Sequence, residues 1–159
     1  MTTDPAAKSA WVAEVAEVDA VGEVEVDEVA ETGEDEGAEA AEVAEVAAIS
    51  DAYEAALKRN DIEAMNAVFW NDQRVLRFGL ADMQRGFDEI VAWRATARPV
   101  NPNRVILSRD VTALAPGVVA VDIVFDDGDP TVVGRQSQTW VRLDTGWKIA
   151  RAHVSLISR

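Results

Sequence analysis

The stretch Gly134 to Ser155, GRQSQTWVRLDTGWKIARAHVS, constrains the fold more than any other part of the chain. Two β-rich runs flank Asp144-Thr145-Gly146, and Asp and Gly at such a junction supply the local hydrogen bond and the permissive φ of a hairpin turn. A long antiparallel hairpin has a face to bury, so the upstream segments must cover it. Side chains alternate across a strand with period two. The odd positions Val133, Arg135, Ser137, Thr139, Val141 and Leu143 are apolar at both ends and polar in the middle, while the even ones carry Gln136, Gln138, Trp140 and Arg142. Two registers stay open. Either the odd row faces inward and lines a cavity with Arg135, Ser137 and Thr139, or Trp140 faces inward and Arg135 is solvated.

Charge decides where the folded part begins. Residues 1–47 hold 15 acids against one basic residue, Lys8, and the remaining 14 acids are matched by 14 Lys and Arg. The whole formal charge of −14 therefore belongs to the N-terminal segment. Val12, Val15, Val18, Val21 and Val24 recur every third residue, which smears them around a helix and leaves no coherent apolar face. Gly22, Gly33 and Gly37 interrupt helix further. Residues 1–41 read as a disordered acidic tail and 42–159 as one folded domain, with enough chain for one sizeable core. The tail resembles neither a signal peptide nor a membrane segment, and no cysteine argues for export, which makes cytoplasm the expected location.

Along the domain, Val46, Ile49, Tyr53 and Leu57 fall at helical steps from Val43 onward, and Asn60 closes that helix and can cap the next, where Ile62, Met65 and Phe69 repeat the pattern. Gln73 to Phe78 and Met83 to Arg85 read as short strands around a turn at Gly79 to Asp82. Gly86 leads into a third short helix marked by Phe87, Ile90, Val91 and Arg94, ended before Pro99 and Pro102. Strands follow at Arg104 to Thr112 and Val118 to Phe125, with turns at Gly117 and Asp126 to Pro130, and then the closing hairpin. Helices segregated from a meandering sheet predict an α+β fold in which the sheet curls around the helices.

This order, with AYEAAL around Tyr53, LKRNDIEAMNAVFWND ahead of RVLRFG, RGFDEI, GRQSQTWVR and GWKIARAHVSLI, resembles the AtzH-like group, which includes the HpxZ proteins of oxalurate catabolism, within the nuclear transport factor 2-like (SnoaL and ketosteroid isomerase-like) superfamily. Phe87 departs from the group, where Tyr is common. The resemblance covers residues 45 to 157 and implies a cone-shaped curved antiparallel sheet wrapped over three helices, with a pocket at its open end. It further implies a small anionic ureido compound as substrate, in nitrogen catabolism downstream of an amidase-signature enzyme, and a homodimer packed through the outer sheet faces. The group's pocket pair, a helix tyrosine and a strand arginine, falls on Tyr53 and Arg77. Arg77 can grip a carboxylate through two parallel hydrogen bonds, and Tyr53 can donate a proton to a leaving nitrogen.

Arg135, Ser137 and Thr139 are further candidates to line the pocket, and Trp70, with Trp93, is a candidate wall residue. His153 shares the parity of Trp147 and Ile149, so it reads either as an acid or base or as a buried donor tying strands together. One His and no Cys make a metal site unexpected, and no Gly-rich phosphate loop opens a helix, so no cofactor is expected. A neutral domain beside an acidic tail is unsuited to nucleic acid. Three functions compete: cofactor-free hydrolysis or decarboxylation of a ureido acid, a non-catalytic module binding an anion or an amidase, and an association domain. The fold alone does not choose between them.

Overall fold

The computed structural model describes residues 33–159, so the disordered-tail reading of residues 1–32 lies outside the described residues. Helix α1 runs from Gly33 to Arg59. It begins ten residues before the expected start at Val43 and continues through Gly37, because seven of the ten residues of GAEAAEVAEV are Ala or Glu, strong helix formers, and because this part of the helix has partners. The Glu42 carboxylate accepts from the Gly117 backbone N–H at 3.0 Å, and Glu45 accepts from Trp147 Nε1 at 2.8 Å and from Arg142 Nη2 at 2.7 Å. Val46, Ser50, Tyr53 and Ala56 form the buried stripe.

Asn60 takes a left-handed φ of 53°, a conformation Asn tolerates, with bonds from Asn60 N to Leu57 O and from Asp61 N to Ala56 O that complete a Schellman ending. The next cap is Asp61, not Asn60 as expected: its carboxylate accepts from Ala64 N at 3.0 Å at the start of α2, Ile62–Ala67. The chain then zips onto the last strand through Trp70 N to Ile149 O and Ile149 N to Val68 O.

A turn takes the first residues of the expected Gln73 to Phe78 strand, leaving β1 as Leu76–Phe78. In that turn Asp72 accepts from the Arg74 side chain and backbone at 2.8 Å each. Strand β2, Met83–Arg85, returns antiparallel, and α3, Phe87–Arg94, follows Gly86. The long strands are β3, Val105–Ala115, β4, Val118–Asp126, β5, Val132–Leu143, and β6, Gly146–Ser158. They form one curved sheet in the order β2-β1-β6-β5-β4-β3, antiparallel except where β1 runs parallel to β6. Val119, Val121, Ile123 and Phe125 of β4, Trp140 of β5 and Ile149 of β6 form one core with Val46 and Tyr53 of α1, Ile90 of α3 and Phe69, which follows α2 and bridges to Ile149.

The β5 register is the second of the two left open. Trp140 is fully buried, and Gly134, Gln136 and Gln138 share its inward face. Gly134 pairs with Phe125, whose ring occupies the space a side chain would need: a Cβ at 134 would lie 2.1 Å from Phe125 Cζ. Arg135, Ser137 and Thr139 therefore face outward, which corrects the pocket-lining expectation for all three. The expectation for His153 is corrected too. Between the pairs Thr139–Arg151 and Trp140–Ile149, strand β6 carries one extra residue, Ala150. A bulge of one residue inverts facing, so Trp147 and Ile149 point inward, but Ala152 and Val154 take over that face beyond it and His153 is exposed.

Gly134→Ala should lower stability in urea by about 1–3 kcal/mol through overpacking against Phe125. Gly37→Ala, where an added Cβ meets nothing within 4 Å, should raise it by about 0.5–1 kcal/mol. The Asp72 carboxyl is held down to about 2, first by its side-chain hydrogen bond with Arg74 and then by the Arg74 backbone. A depressed carboxyl stabilises above its unfolded pKa and loses that contribution as pH falls toward the folded value. Melting temperature should accordingly fall less between about pH 4 and about pH 2 in Asp72→Asn than in wild type.

Candidate functional site

A cavity of about 430 Å³ opens between the helices and the concave side of the sheet. Tyr53 enters from α1, Arg94 from α3 and Arg77 from β1, while Gln136 and Gln138 reach it from β5. Met65, Phe69, Trp93 and Phe125 form apolar walls, and Arg98 with Asp127 and Asp129 belongs to the mouth. The two glutamines on the inward face of β5 give this cavity a polar wall, since an inward polar side chain needs a hydrogen-bond partner.

Tyr53 is buried with its ring edge toward Phe69, centroids 6.1 Å apart. Burial pushes its phenol pKa up, opposed by the charges of Arg94, Arg77 and Arg104. The phenol therefore stays protonated at neutral pH and is available as a donor.

The three lining arginines that are not exposed differ in how their charge is met. Arg104, 3% exposed, faces Glu54: Nη2 donates to Oε1 at 3.3 Å, Nε lies 3.2 Å from Oε2, and the guanidinium sits 3.5 Å over the Phe125 ring. Gln136 Nε2 donates to the same Glu54 Oε1 at 2.9 Å, which locks this pair. Arg77 Nη1 donates to Asp82 Oδ1 at 2.6 Å and Gln84 Oε1 at 2.7 Å, and its guanidinium stacks 3.7 Å over Trp93. Arg94, 5% exposed, has a neutral partner only: Nη1 donates to Asn66 Oδ1 at 2.5 Å, with the face of Phe69 4.9 Å away. Burial lowers its pKa, the Arg77 charge adds to that, and the nearby Tyr53 opposes it.

The structure brings Tyr53 and Arg77 to one cavity. Trp70 is not among its walls; half-buried, it carries the Arg74 guanidinium 4.4 Å over its ring. Ser137, Thr139 and His153 meet instead on the outer face of the sheet, in a shallow groove with Phe78 and Arg151. Arg135 lies on that outer face, paired in register with Val124 and Ser155.

Arg94, Arg104, Glu54, Gln136 and Gln138 were missed as site residues. Arg94 had a signal, because it continues the Phe87, Ile90, Val91 stripe at helical spacing, where a charge has no reason to be buried unless something meets it. Glu54 and Arg104 are 50 residues apart, and no local pattern links them. Among the described residues, no group of three or more His, Cys, Asp or Glu gathers to hold a metal ion, and no helix is long and apolar enough to cross a membrane.

Comparison with known proteins agrees with this architecture. The profile of the AtzH-like family matches residues 38–159. No curated protein matches the chain. A cystatin-like fold protein of Burkholderia xenovorans is 44% identical, with a TM-score of 0.71 over 74% of this chain and 92% of that one. A protein of Pectobacterium atrosepticum is 34% identical, with a TM-score of 0.69 over 73% and 91%. An NTF-2-like protein of Shewanella oneidensis, 18% identical with a TM-score of 0.56 over 69% and 95%, shares the fold alone. By profile and by these two similar sequences, the chain belongs to the AtzH-like family, and it has the fold of NTF-2-like proteins.

Proposed function

We propose that the cavity takes a small carboxylated ureido compound and breaks its N-carboxy or carbamoyl bond without a cofactor. The observation that carries this reading is the placement of a buried, protonated Tyr53 in one cavity with arginines. The substrate class is carried over from the family resemblance. In the decarboxylating form, the C–N electron pair passes to nitrogen, nitrogen takes the Tyr53 proton, and carbon dioxide leaves; solvent then reprotonates the phenolate. Protonation makes nitrogen the better leaving group. The flanking arginine charges favour the transient phenolate, which offsets part of the cost that burial imposes on it. Arg77, oriented by Asp82, Gln84 and Trp93, helps hold the substrate carboxylate.

A cytoplasmic setting beside an amidase-signature enzyme and a homodimer joined through the outer sheet faces belong to the same proposal. For the dimer, the support is Phe78, exposed on the outer face with its ring 5.9 Å from that of His153.

Assay of oxalurate and allophanate turnover tests the reaction. Tyr53→Phe should lower kcat by at least about 100-fold with a folded protein and little change in KM. Arg77→Met should raise KM. Wild-type turnover should persist from about pH 7 to about pH 9, because the raised phenol remains protonated well beyond that range. Tyr53→Phe and Arg77→Met variants as fast as wild type would refute the roles given to both residues.

A further inference from the structure

Arg94 is the one buried arginine of the cavity whose charge no carboxylate of the described residues matches; Arg98, also unpaired, is exposed at the mouth. Arg104 has Glu54 and Arg77 has Asp82, whereas among the described residues no carboxylate forms an ion pair with Arg94. Its partners are the neutral amide of Asn66 and the Phe69 ring. A buried cation without a counter-charge is costly, and the cost is met when an anion arrives. A guanidinium carries five N–H donors in a fixed fork. One is used on Asn66, and no Arg94 nitrogen is among the buried side-chain atoms without a partner, unlike Arg104 Nε, so its remaining donors open toward the cavity that the side chain lines.

We propose that Arg94 is the principal anion anchor of the cavity, gripping a carboxylate of the bound compound beside the Tyr53 hydroxyl, with Arg77 in a secondary, orienting role. The proposal deepens the ureido-acid reading and rests on it for the identity of the compound, but not for the presence of an anion. Arg77 is the weaker grip because its Nη1 already serves Asp82 and Gln84, and the Asp82 carboxylate offsets its charge. Arg94 offers the incoming carboxylate a pair of parallel donors in a desolvated site, where charge-assisted bonds are strongest. Asn66, from α2, holds the α3 arginine in place and fixes the direction of its fork.

The test is calorimetric titration with malonate at low salt and neutral pH, together with melting temperatures of the unliganded proteins. Wild type should bind malonate, Arg94→Met should bind at least about 10-fold to 100-fold more weakly, and Arg77→Met should lose less. Arg94→Lys should fall between, since a point charge does not reproduce the fork. Unliganded Arg94→Met should melt no lower than wild type, because it removes an unmatched buried charge; a purely structural arginine would lower it.

Should Arg94→Met fail to fold, Arg94→Gln, which keeps an amide donor for Asn66, decides in its place. Malonate affinity equal to wild type in either variant overturns the proposal. Absence of malonate binding by wild type overturns it together with the carboxylate reading. Binding lost in the Arg94 variants, with no turnover of any ureido acid by wild type, leaves the anchor standing and removes the catalytic reading alone.

Discussion

The fully buried Trp140 side chain pins the register of β5, and the placement of every functional group on the sheet depends on that register. Its indole Nε1 donates to Gln138 Oε1 at 3.0 Å, so the same row that packs the core ends in the polar wall of the cavity. At the other end of the row Gly134 yields its side-chain space to Phe125, and Phe125 in turn floors the guanidinium of Arg104. A slip of one residue would expose Trp140 and drive Arg135, Ser137 and Thr139 into the core, an exchange that the loss of buried aromatic area alone forbids. The bulge at Ala150 performs the complementary adjustment on β6, keeping Trp147 and Ile149 inward and turning Ala152 inward past it.

Charge pairing then sorts the cavity's three buried or half-buried arginines into distinct roles. Two are balanced within the protein, by Glu54 and Asp82, and help hold the cavity in shape. Arg94 is balanced by no such carboxylate, and Tyr53, its near neighbour in electrostatic terms, is kept neutral by the same desolvation that makes the arginine uneasy. A cavity with one uncompensated buried cation and one neutral phenol is complementary to an anion that also accepts or receives a proton. Stability and function pull against each other at Arg94, as they commonly do where a site is built for a ligand.

Much of the fold was legible because its signals are local. The hairpin at Asp144-Thr145-Gly146, the amphipathic steps from Val46 to Leu57 and the helix after Gly86 all follow from spacing and turn chemistry within a few residues, and all three stand in the structure. The facing of β5 was not legible, since both of its rows are polar in the middle and period two carries no contrast there. His153 was misplaced by a single extra residue in β6, which only the paired strand reveals. The early start of α1 depends on Glu42 and Glu45 reaching residues 75 to 102 positions away. Tyr53 and Arg77 came from family resemblance, not from pattern. Arg94 stood in plain view on the apolar stripe of α3, and its meaning emerged only once its neighbours proved to be Asn66 and Phe69 instead of a carboxylate.

The most direct test of an anion cavity built around Arg94 and Tyr53 is a crystal structure of the protein grown with malonate. The account predicts a carboxylate within hydrogen-bond distance of the Arg94 guanidinium and of the Tyr53 hydroxyl, with Arg77 still bound to Asp82 and Gln84. An empty cavity at saturating malonate, or a carboxylate held by Arg77 with Arg94 untouched, would contradict it.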